Sequence, residues 1–208
     1  MLLERFLLYV ATESALSLSP GPAVLLVVAS ALTQGARRAL CATLGILSAN
    51  MLYFAVCASG LGSLLAGSVH LFEVVRLLGA CYLVYLGLMA LFGKPSALGF
   101  ITSPTLAQRS PLELYRVGLV LQLGNPKNLL FFLAILPQFI DPGAPIGYQM
   151  IWLLAGSVLP EFVILAGYGS LAGRARSLAV KPGFLRWTER LAGGLMLGAA
   201  ALVAGIGR

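Results

Sequence analysis

Two short stretches of this chain combine helix-breaking residues with groups able to hold a charged ligand. They are Ser19-Pro20-Gly21-Pro22 and Gly124-Asn125-Pro126-Lys127. Proline lacks an N–H and clashes with the preceding turn, so neither stretch continues a regular helix. Ser19-Pro20 and Asn125-Pro126 each read as an N-cap followed by proline at the first helical position. A helix start carries free N–H donors and roughly half a positive charge. Two such starts beside Lys127 suit an anion such as a carboxylate. The expected substrate-contacting set is Ser19, Pro20, Gly21, Pro22, Asn125, Pro126 and Lys127, together with Asn50.

Two acidic residues also fall within apolar sequence. Glu161 follows Pro160, and Glu13 lies about a turn and a half before the first break. An ionisable group at bilayer depth is costly and points to function by default. Glu161 and Glu13 are expected to receive an ammonium group or a coupling proton. Blander readings stand beside these. The prolines could simply kink packed helices, and Glu161 could pair with Lys127. Glu13 could sit near the outer surface, and Asn50 could make only an interhelical hydrogen bond. Gln138, after Pro137, is expected to end its span near the outer interface.

The elements that must position these residues follow from hydropathy. Of 208 residues, 59% are hydrophobic and 10% charged, against about 25% charged in a soluble domain. That composition predicts an all-α polytopic membrane protein, residues 1–208 forming a single transmembrane domain. Apolar stretches at about 6–32, 40–65, 70–92, 112–140, 146–172 and 186–206 are each long enough to cross a bilayer. The first and fourth contain the breaks. Their flanking pieces are each too short to cross a core of about 30 Å alone. Broken backbone at that depth is tolerated only where protein buries it or where it lines a cavity. Paired interruptions at corresponding positions of two halves are a pointer to a transporter binding site. Three spans per half give the halves opposite orientations. The reading is therefore two inverted three-helix repeats, about 1–93 and 112–208, with a cytoplasmic linker at about 94–111.

Charge placement sets the orientation. Ten basic residues flank the first, third and fifth connections: Arg37, Arg38, Lys94, Arg109, Arg116, Arg174, Arg176, Lys181, Arg186 and Arg190. Arg5, Arg76 and Arg208 lie on the other side. The ten belong in the cytoplasm, which puts both termini outside it. Basic residues confined to short loops also make the net charge of +7 a matter of orientation, and no nucleic-acid partner is expected. Met1 to Arg5 lack the basic start and cleavage site of a secretory signal, so the first span is expected to be retained.

Cys41, Cys57 and Cys81 show no CxxC spacing, and the lone histidine, His70, falls in a predicted loop. The thiols read as packing residues, and no metal or other cofactor is expected. No nucleophile–base pair stands in the spans, so an enzyme is not expected. Gly45 with Ala49, Gly79 with Ala80, and Gly156, Gly167, Gly193, Gly194 and Gly198 suit close helix packing and a homodimer face.

The chain resembles the LysE/RhtB family of amino-acid exporters. The residues that carry the likeness are Ser19-Pro20-Gly21-Pro22, Gly35, Gly45 and the run Leu78-Gly79-Ala80-Cys81-Tyr82-Leu83-Val84-Tyr85-Leu86-Gly87. Asn125-Pro126-Lys127, Phe131-Phe132 and Pro137-Gln138-Phe139 complete it. The likeness weakens after about Ile140. Ala39 and Ala49 stand where the family would have glycine, and Glu161 has no counterpart carried over from it. The resemblance implies export of amino acids or close relatives across a bacterial inner membrane, driven by protons. Export of metal cations or other small metabolites, and a structural membrane subunit, are the alternatives.

Overall fold

The computed structural model describes residues 3–67, 69–92, 109–141, 143–174 and 182–205. Every element among them is helical. Helices α1 (Leu3–Leu18) and α2 (Pro22–Gln34) form the first broken element, bent by 54°. Gly35, at φ +88°, turns the chain into α3 (Ala36–Gly67), and α4 spans Val69–Phe92. Positive φ is a conformation open to glycine without steric cost. The second half opens with α5 (Pro111–Leu123), bent by 51° against the segment Pro126–Phe139. That segment comprises α6 (Pro126–Leu130), one π turn (Phe131–Ile135) and one 3-10 turn (Leu136–Phe139). Pro137 cannot donate to the carbonyl four residues back, which accounts for the loss of regular winding there. Helices α7 (Ile146–Arg174) and α8 (Pro182–Gly205) complete the fold.

Local chemistry fixes the start of α5. Ser110 Oγ accepts from the Glu113 N–H at 3.3 Å, and Glu113 Oε2 accepts from the Ser110 N–H at 2.7 Å. This reciprocal box satisfies two backbone donors, and Pro111 sits at the first helical position.

Two helical stretches, Ala36–Ser59 and Ile146–Arg174, are long and apolar enough to cross a membrane alone. Each bent pair qualifies when its two arms are taken together, giving up to four such elements among the described residues. The third and sixth expected spans coincide with α4 and α8, of 24 residues each. Large apolar side chains such as Leu7, Leu44, Val56, Val120, Ile151 and Val163 are exposed. Helices apolar on their outer as well as inner faces are those of a membrane-embedded protein.

Helices run further than hydropathy suggested. Arg37 and Arg38, expected in a connection, lie in the first turn of α3, because Gly35 makes the turn by itself. His70, expected in a loop, lies in the first turn of α4. Residues 94–108 of the expected linker, with Lys94, Arg176, Lys181 and Arg208, lie outside the described residues.

Packing is closest where glycines meet backbone. A Cβ on Gly45 would sit 2.0 Å from the Tyr115 carbonyl oxygen, and one on Gly118 would sit 2.2 Å from that of Ala42. Helices α3 and α5 therefore touch main chain to main chain, the contact that drives association where lipid removes any hydrophobic gain. Helix α7 packs along both α1 and α2 and crosses α3, while α4 packs on α8.

Candidate functional site

The site begins with the carbonyl groups that the prolines release. In an α-helix the carbonyl of residue i accepts from the N–H of residue i+4. Pro20 denies that donor to Leu16, and Pro22 denies it to Leu18. Both carbonyls find side chains from distant parts of the chain. Lys127 Nζ donates to the Leu16 oxygen at 2.6 Å, and Tyr168 Oη donates to the Leu18 oxygen at 2.9 Å. At the second break Asn125 Oδ1 accepts the Lys127 N–H at 3.1 Å. Leu123 thereby loses its helical donor, and Tyr53 Oη supplies one at 2.6 Å. A tyrosine from α3 thus closes the broken end of α5, and one from α7 closes that of α1.

The two breaks differ in their caps. Asn125 caps α6 as its sequence suggests, with Pro126 at the first helical position. Ser19 does not cap α2. The N-cap is Gly21, extended at φ −119° and ψ −172°, without a side-chain bond, and Pro22 opens the helix. The reason is the second proline. A residue before proline is driven out of the helical region, so Pro22 keeps Gly21 extended and the helix cannot start at Pro20.

Both breaks border one cavity of about 460 Å³, its open mouth included. Ser19, Gly21, Asn125, Lys127, Glu13 and Glu161 line it. Pro20, Pro22, Pro126 and Asn50 are not among the lining residues: the prolines shape the backbone, and Asn50 stands one hydrogen bond behind.

Asn50 is the centre of a polar network that ties four helices together, α3, α5, α6 and α7. Its Nδ2 donates to Glu161 Oε2, while its Oδ1 accepts from Gln122 Nε2 at 3.0 Å and Asn128 Nδ2 at 3.1 Å. Gln122 Nε2 also reaches Glu161 Oε1 at 3.4 Å, and Asn125 Nδ2 donates to Gln122 Oε1 at 3.2 Å. The Glu161 carboxylate is therefore held by amide donors, with α3, α5 and α7 as its frame. Lys127 binds a backbone carbonyl instead of forming the direct pair with Glu161 weighed from sequence.

Glu13 is 5% exposed, so it does not sit at the protein surface. Its Oε1 accepts from Ser157 Oγ at 2.9 Å. Ser157 and Glu161 lie four residues apart on one face of α7, so that face carries one carboxyl of the cavity and the hydroxyl that holds the other, Glu13 of α1. Gln138 is buried in the 3-10 turn that closes the fourth expected span. On the apolar side the cavity is lined by Leu16, Val24, Phe131 and Leu165.

Sequence reasoning missed Gln122, Asn128, Ser157, Tyr53 and Tyr168. Gln122 and Asn128 carried a usable signal, since each is a polar residue three positions from Asn125 in an apolar span. Ser157, one turn before Glu161, carried another. The tyrosines carried none, because their targets are main-chain atoms of a different span.

The LysE type translocator family matches residues 14–205. The homoserine/homoserine lactone efflux protein of Salmonella typhimurium is 30% identical over 205 residues, covering 98% of each chain. An uncharacterized membrane protein of Pseudomonas aeruginosa is 33% identical, covering 91% of this chain and 87% of its own. The leucine efflux protein of Salmonella choleraesuis is 30% identical over 156 residues, 72% of this chain and 73% of its own. No solved structure matches this chain significantly.

Proposed function

Because this chain belongs to the LysE family of translocators, we propose that it exports amino acids or close derivatives from the cytoplasm by proton antiport. It is a transporter and not an enzyme, in keeping with the efflux proteins it resembles. The observation that carries the reading is the meeting of both broken elements at one cavity, where one ammonium faces two carboxylates.

The substrate carboxylate binds at the starts of α2 and α6, beside Lys127. Helix starts offer unpaired N–H groups and a positive end. The amine binds toward Glu13 and Glu161. With Lys127 charged and both carboxyls ionised, the cavity carries one negative charge in excess. A proton and a substrate amine compete for that excess, and such competition is the basis of exchange. Leu16, Val24, Phe131 and Leu165 receive an uncharged side chain.

The chain lies in the bacterial inner membrane as six spans in two inverted repeats, with both termini outside the cytoplasm. The exchange of tyrosine caps between the halves supports the repeat. Access alternates as one repeat rocks against the other around the fixed site. Exposed Gly194 and Gly198, whose added Cβ atoms would meet nothing, offer a face to a second copy.

The test is uptake of labelled leucine and homoserine into everted vesicles from cells producing the protein. Uptake driven by an acid interior is expected. Vesicles that exchange no amino acid at all would overturn the reading. A periplasm-dependent reporter fused after Arg208 is expected to be active.

A further inference from the structure

Lys127 lies within the cavity, yet its ammonium does not pair with either carboxylate that lines it. Its Nζ rests on the Leu16 carbonyl at 2.6 Å. That carbonyl is free because Pro20 has no N–H to offer it. The last turn of α1 is also the negative end of a helix, which favours a cation. The result is a ready-made ammonium site, with a carbonyl at the negative end of a half-helix and Glu13 and Glu161 lining the same cavity. It is filled by a side chain of the protein itself.

We infer that Lys127 is a tethered stand-in for the substrate's own ammonium, occupying the Leu16 carbonyl when the carrier is empty and yielding it when substrate enters. This deepens the proposed function and rests on it. The incoming amine takes the Leu16 carbonyl, and the displaced Lys127 turns to the incoming carboxylate. The amine then becomes the group that every substrate must have, and the carboxylate becomes dispensable. A lactone or amide of an amino acid keeps the amine and lacks the carboxylate, so it falls within the substrate class. The relative named for homoserine export is named for the lactone as well.

The stand-in makes a prediction opposite to that of a lysine which only binds carboxylates. Removing the ammonium frees the Leu16 site from an internal competitor. Purified Lys127→Met protein is expected to bind leucinamide roughly tenfold more tightly than the native chain, the size of one charge-assisted hydrogen bond released from competition. It is expected to bind N-acetylleucine, which has a carboxylate and no amine, more weakly. Leucinamide affinity that is unchanged or reduced would overturn the inference, leaving Lys127 as a carboxylate ligand alone. Lys127→Gln carries the same comparison if the methionine variant is not monodisperse in detergent. Native protein that transports leucine while the variants show no gain for leucinamide would sink the stand-in only. Native protein that neither transports nor binds any of these compounds would sink the proposed function with it.

Discussion

Asn50 and Glu161 are hydrogen-bonded side chain to side chain although 111 residues separate them. The bond joins α3 to α7 across the middle of the molecule. It places an ionisable carboxyl where both broken elements meet, and Gln122 and Asn128 complete its surroundings. A carboxylate held only by donors has its lone pairs occupied yet remains open to the cavity.

Replacing that carboxyl tests its part in coupling. Glu161→Gln keeps the shape but presents an amide to Asn50 and Gln122. One donor then faces another, at a cost of about 1–3 kcal/mol for an unmet buried group. The variant is expected to insert normally and to exchange labelled for unlabelled leucine without a gradient. Uptake driven by an acid interior is expected to vanish. Full gradient-driven uptake would remove Glu161 from coupling.

Restoring a backbone donor tests the first break. Pro20→Ala supplies an N–H that can reach the Leu16 carbonyl and compete with Lys127. Turnover in everted vesicles is expected to fall by about tenfold, the scale of one backbone hydrogen bond set against another. The amount of inserted protein should not change. A native rate would show that the break only shapes packing.

Close packing of α3 on α5 predicts a stability effect at a glycine of that contact and none at an open one. Gly118→Ala would push a Cβ to 2.2 Å from the Ala42 carbonyl oxygen, while Gly167→Ala would meet nothing within 4 Å. Overpacking of this kind costs about 1–3 kcal/mol or more. Thermal unfolding in detergent should show a lower Tm for Gly118→Ala and a native Tm for Gly167→Ala. Equal midpoints would mean that the two helices can separate freely.

The two tyrosine caps should differ in weight. Tyr168 is buried, and its loss leaves the Leu18 carbonyl without that donor in the interior. Tyr168→Phe is expected to cost about 1–3 kcal/mol. Tyr53 is only half-buried where it bonds Leu123, and its ring still stacks on Phe132 at 5.0 Å without the hydroxyl. Tyr53→Phe is therefore expected to cost less than about 1 kcal/mol. Chemical denaturation of the two variants ranks them, and the reverse order would refute the burial argument.

Sequence by itself determined where the helices fail and that the chain is a membrane protein. Those features are local: a proline removes its own N–H, and an apolar run has a length, whatever surrounds it. It also singled out Glu13, Asn50, Asn125, Lys127 and Glu161, since a polar residue in an apolar span stands out without any structure. Tertiary structure decided what these groups touch. Ser19 lost the helix cap to Gly21 because Pro22 restricts the residue before it. Lys127 met a carbonyl of α1 and not Glu161, because the bend of that broken element turns its freed carbonyl toward α6. Main-chain atoms have the same chemistry at every position, so only the fold could show which of them the prolines had left for Lys127, Tyr53 and Tyr168 to find.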